Sequence, residues 1–66
     1  MGKWPNNKIK QLRLSMGLTQ AAFAESIGTT RTYVNLLEKG VKRPSKTLCI
    51  LFDLLKQKEN EKEKGR

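Results

Sequence analysis

Apolar residues recur along the chain at helical spacing, and capping or turn residues interrupt them at short intervals. Ile9, Leu12 and Met16 share one helical face. Asn6 or Asn7 can cap that helix and Gly17 closes it, so the spacing predicts a first helix running to about Met16. Leu18, just past the glycine, is placed for the apolar contact that accompanies a glycine cap. The stretch Thr19 to Gly40, TQAAFAESIGTTRTYVNLLEKG, then predicts two short helices joined by a tight turn. Thr19 can cap the first, over Gln20–Ile27, which ends at Gly28. Thr29 or Thr30 can cap the second, over Arg31–Glu38, which ends at Lys39-Gly40. Each threonine oxygen can accept from the free N–H groups of a first turn. Phe23, Ala24 and Ile27 form the inward stripe of one helix, Val34 and Leu37 that of the other. Ala24 is small where the two must cross closely.

Ser45 can cap a last helix from about Lys46 to Gln57. At about 100° per residue, Leu48, Leu51, Phe52 and Leu55 gather on one face, while Ile50 and Leu54 fall nearly opposite. One stripe suffices to close a four-helix core. The second is explained either by a two-fold dimer interface through Ile50 and Leu54, or by loops and the N-terminal arm wrapping more of the helix. Met1–Pro5 reads as a loose arm ahead of Pro5, in which Trp4 covers the first helix or does little. The tail after Gln57, KENEKEKGR, alternates charge and has no apolar residue, so disorder is expected there.

The central segment resembles the helix-turn-helix of the phage repressor/Cro-type transcription regulators. The residues that carry the likeness are Gln20, Ala24, Gly28, Val34 and Leu37, with Glu38 and Gly40 also in place. It extends upstream to Ile9, Leu12 and Arg13 and downstream to Arg43, Pro44 and Ser45, so it spans about residues 7–56. The resemblance implies an all-α, compact four-helix, repressor-like DNA-binding domain over residues 1–57, followed by a charged, disordered tail over residues 58–66. It also implies that Arg13 and Glu38 form a structural ion pair, and that Gln20 contacts a DNA phosphate.

Composition agrees with a polyanion as partner. The 66 residues allow one small domain with a thin core, which dimerisation would help. Formal charge is +8 with no histidine. The excess is uneven: residues 1–47 hold nine of the fourteen Lys and Arg against only Glu25 and Glu38. Lysines kept in water for solubility would account for the charge alone, but not for the motif beside it. The single Cys49 lies in an apolar run and reads as a small core residue. With one cysteine and no histidine, neither a zinc set nor any other cofactor is expected. There is no Ser/His/Asp set, no glycine-rich phosphate loop and no paired carboxylates in an apolar setting, so an enzyme is not expected. No apolar run reaches a membrane span and no signal region opens the chain, so the expectation is a cytoplasmic protein of a bacterium or its phage.

In helix-turn-helix proteins the second motif helix enters the major groove by its N-terminal end. That brings Thr30, Arg31, Thr32 and Asn35 nearest the bases. Arg31 can read guanine O6 and N7 with two bonds, or be an ordinary exposed arginine. Thr32 can donate to a base or set its methyl against thymine, and Asn35 suits adenine or a phosphate. Leu36 departs from the polar reader common among relatives; it touches a thymine methyl or faces a neighbouring subunit. Tyr33 is either a phosphate contact or a packing residue between helices. Lys42, Arg43 and Lys10 can clamp phosphates, or serve as solvated charges. The expected function is sequence-specific duplex binding as a symmetric dimer on an inverted repeat, in a regulator of repressor, restriction–modification controller or antitoxin type. The alternative is a module whose main partner is another protein, such as a toxin.

Overall fold

A computed structural model describes the backbone of residues 3–64 and the side chains of residues 3–59. These residues form four α-helices: α1 (Asn6–Ser15), α2 (Gln20–Ser26), α3 (Arg31–Lys39) and α4 (Lys46–Lys64). The caps that define α2 and α3 are made as the threonines predict. Thr19 Oγ1 accepts from the Ala22 N–H, and Thr30 Oγ1 from the Tyr33 N–H, both at 3.1 Å. Ser45 Oγ accepts from the Leu48 N–H at 3.2 Å and starts α4.

α1, α2 and α3 end alike. In α2 the Thr29 N–H reaches back to the Ala24 carbonyl and the Gly28 N–H to that of Glu25, with Gly28 at φ +76°. These are the two bonds of a Schellman cap, whose reversal of direction requires a left-handed residue. The same pair closes α1, where Leu18 donates to Arg13, and α3, where Val41 donates to Leu36. Leu18 also packs against the core as its position after Gly17 suggests. These short, fixed turns bring α2 and α3 together as the most extensively packed pair of helices.

The core is a single cluster of Trp4, Ile9, Leu12, Phe23, Ala24, Val34, Leu37 and Phe52. Phe23 and Phe52 stack with ring centroids 5.9 Å apart, which joins α2 to α4. Leu48, Cys49 and Leu55 lie partly buried against the cluster. Cys49 thus has the packing role its apolar neighbourhood suggests.

Three expectations need correction. The arm is not loose at Trp4, which is 6% exposed and part of the core. Its ring meets Phe52 at 5.3 Å between centroids, and Lys8 Nζ lies 5.7 Å from its centre. The N-cap of α1 is Pro5 rather than Asn6 or Asn7, and no side chain caps that end. Asn6 Nδ2 instead donates to the Glu38 carbonyl at 3.1 Å, tying the start of α1 to the end of α3. Finally, α4 continues past Gln57 to Lys64. Residues of good helix preference follow Gln57, with no glycine or proline before Gly65 to stop the helix. The expected disorder of the tail side chains beyond Glu59, and of residues 65–66, falls outside the described residues.

Candidate nucleic-acid interface

The N-terminal end of α3 is the most open part of the motif. Thr30, Arg31 and Thr32 are exposed there. Among the described residues Arg31 and Thr32 have no side-chain hydrogen bond, and Arg31 has no ion pair. The opposite stripe, Val34 and Leu37, is fully buried. The helix therefore turns its apolar side inward and leaves its first turn free. The Thr30 hydroxyl is half committed, since its oxygen caps α3. Tyr33 is half-buried and packs against the core, the packing alternative for that residue. Asn35 and Leu36 are half-buried, one turn further along the same helix.

Behind this face lies an ion pair. Arg13 Nε donates to Glu38 Oε2 at 2.7 Å, with the side chains only 11% and 5% exposed. Arg13 Nη2 reaches Glu38 Oε1 at 3.2 Å, and Nη1 donates to the Leu18 carbonyl at 2.9 Å. One guanidinium thus ties α1, the α1–α2 turn and the end of α3 together. Such near-complete pairing is what a charge taken out of water requires. The same carboxylate accepts from Gln20 Nε2 at 3.1 Å. Gln20 Oε1 in turn accepts from Asn35 Nδ2 at 3.4 Å. This second partner of Glu38 carries no periodic signal in the sequence, and sequence reasoning assigned Gln20 only to phosphate.

The cations expected to meet phosphate divide into two places. Lys42 and Arg43 are exposed in the loop after α3. They share the rim of a groove of about 610 Å³ with Lys3 and Lys46. Neither Lys3 nor Lys46 was among the expected phosphate contacts; the signal for both was only their charge. Lys10 is exposed on α1 and is not part of that rim. On α4, Ile50 is 40% and Leu54 57% exposed, beside a fully buried Phe52. The wrapped-helix alternative therefore does not hold within a single chain. Leu14 and Val41 are also exposed apolar residues, outside the expected dimer stripe. Among the described residues, no helix is long and apolar enough to cross a membrane.

Comparison with known proteins agrees with this architecture. No solved structure matches the chain. It is 41% identical over 44 residues, 67% of each chain, to a Bacillus subtilis (strain 168) protein described as the uncharacterized HTH-type transcriptional regulator YgzD. A helix-turn-helix family model matches residues 9–52, from the first core residue of α1 to the central phenylalanine of α4. The matched segment holds the three capped helix starts and the three glycine-closed helix ends described above, and the chain belongs to the Cro-type helix-turn-helix family of transcription regulators.

Proposed function

We propose that the chain binds duplex DNA sequence-specifically, placing α3 in the major groove, and acts as a symmetric dimer on an inverted repeat. The observation that carries this reading is Arg31. It is exposed on the first turn of α3 with no partner among the described residues, beside a free Thr32. A guanidinium in that position is available for the paired acceptors of a guanine edge. Lys42 and Arg43, just beyond α3, supply the phosphate contacts that set register without carrying sequence information. The motif also lies in the more basic part of the chain. A regulator binding over a promoter acts most simply as a repressor, in the manner of a phage repressor, a restriction–modification controller or an antitoxin.

A second reading, a protein-interaction module with a partner such as a toxin, draws on the exposed Ile50, Leu54 and Leu14. Selection of bound duplexes from a random pool at moderate salt, followed by sequencing, separates the two. Enrichment of an inverted repeat supports the DNA reading and gives the half-site spacing. Retention without an enriched motif removes sequence specificity, and no retention moves the assignment to the protein partner.

A further inference from the structure

The hydrogen bonds running from Glu38 through Gln20 to Asn35 have a direction, and the direction is set by chemistry. A carboxylate only accepts. The Glu38 carboxylate pairs with Arg13 at 2.7 Å, so Gln20 must turn its amide nitrogen toward it, as the 3.1 Å contact records. The Gln20 oxygen then faces away from Glu38 and can only accept. Asn35 therefore meets it with Nδ2, at 3.4 Å. The last consequence falls on the outer end of the relay. With its nitrogen turned inward, Asn35 presents the carbonyl oxygen Oδ1 outward, with one N–H of Nδ2 left over.

We propose that Gln20 is a positioning residue that fixes the polarity of the Asn35 amide, so that Asn35 accepts a hydrogen bond from an exocyclic base amine. This rests on the DNA reading above. In the major groove, adenine N6 and cytosine N4 are donors, while guanine O6 and thymine O4 are acceptors. An outward oxygen favours the first pair and opposes the second. An unrestrained asparagine can flip to suit either. The buried ion pair thus acts at a distance on which base is read, through one intervening amide, and Arg13 and Glu38 touch no DNA in doing so. Of the three links, the one to Asn35 is the longest, so Asn35 is restrained while remaining able to adjust against a base.

The test has a DNA-free arm and a DNA arm, both on the full chain. In the free protein, the Asn35 side chain should occupy one χ1 rotamer by NMR couplings, with its NH₂ group ordered. Gln20→Ala and Gln20→Met should both release it to average between rotamers, while the backbone spectrum of α3 stays in place. Rotamer averaging already present in the unmodified protein would overturn the relay. In the DNA arm, each variant is taken through the same random-pool selection as the parent. The parent should prefer an amine-bearing base at one position of each half-site by roughly fivefold or more. Both Gln20 variants should flatten that position while retaining the preferences at the others. Should Gln20 act only on phosphate, the variants would weaken all sequences alike and leave every base preference intact. That outcome refutes the positioning role while leaving DNA recognition standing. A parent that selects no motif refutes the DNA reading instead, and the NMR arm then still decides whether Gln20 orders Asn35.

Discussion

The indole N–H of Trp4 donates to Oδ1 of Asp53 at 2.7 Å and ties the segment before α1 to the middle of α4, across 49 positions of sequence. The same ring stacks obliquely on Phe52 and is approached by Lys8. Trp4 therefore works as a clasp: its body completes the core and its polar edge is satisfied by a carboxylate. Trp4→Phe keeps most of the apolar surface but leaves the half-buried Asp53 without this donor. The expected loss is about 1.5–3 kcal/mol, the range for hydrogen bonds to charged groups. Trp4→Ala should cost more, about 3–5 kcal/mol, because a cavity is added. Urea denaturation followed by circular dichroism measures both without needing the tryptophan signal. Equal losses for the two would show that the ring's bulk contributes nothing.

The clasp also marks where sequence reasoning stops. Trp4 and Ile9 occupy the N′ and N4 positions around the Pro5 cap, the two places of a hydrophobic staple. That spacing was the available signal, and the polar neighbours of Trp4 together with Pro5 obscured it. The helices themselves were legible because their punctuation is local: Thr19, Thr30 and Ser45 cap, and Gly28 and Gly40 end. The inward stripes of α2 and α3 were legible because they follow one period. The Arg13–Glu38 pair came only through the family likeness, since nothing in the spacing joins residues on different helices. Gln20 and Asn35 were both picked out as DNA contacts, yet their bond to each other was invisible. A link between two polar side chains depends on the crossing geometry of α2 and α3, which no one-dimensional pattern encodes. The end of α4 was misplaced because polarity was read as disorder, although lysine and glutamate are good helix formers.

The ion pair itself should behave as a buried one. Glu38→Ala leaves the guanidinium of Arg13 without its carboxylate in a site about one-tenth exposed. The expected cost is about 3–5 kcal/mol, a large share of the stability of a domain this small. Arg13→Met combined with Glu38→Leu removes both charges and fills the space, and should recover most of that loss. Thermal melts of the single and double variants decide it. A double variant no more stable than Glu38→Ala would mean that the paired charges themselves, and not the penalty of an orphaned Arg13, carry the stability.

Arg31 and Lys42 should separate by what they do to sequence preference. Arg31→Ala is expected to weaken the selected site by about 1–3 kcal/mol and to affect random duplex far less. Lys42→Ala should lower affinity alike on all duplexes and reduce the slope of log affinity against log salt by about 0.9. Fluorescence anisotropy with matched specific and random duplexes across a salt series reads both quantities. Equal loss on the two duplexes would remove Arg31 as a base reader. An unchanged slope would remove Lys42 as a phosphate clamp.

The proposed dimer places the outer face of α4 in its seam. Ile50 and Leu54 are one helical turn apart and exposed, while Phe52 between them is fully buried. A helix this amphipathic on its inner side gains nothing from a second apolar stripe unless another surface covers it. A two-fold copy is the simplest cover, because Ile50 of one chain can meet Leu54 of the other and the reverse. The repulsion between two basic chains must be overcome by that contact, so the dimer should tighten as salt rises, whereas DNA affinity should fall. Ile50→Glu places a charge in the proposed seam and should yield a monomer by analytical ultracentrifugation, with the helical circular dichroism of the parent retained. Its DNA affinity should then drop steeply on an inverted repeat and little on a single half-site. A parent that sediments as a dimer and a variant of unchanged mass would locate the interface elsewhere, with the exposed Leu14 and Val41 the next surfaces to probe.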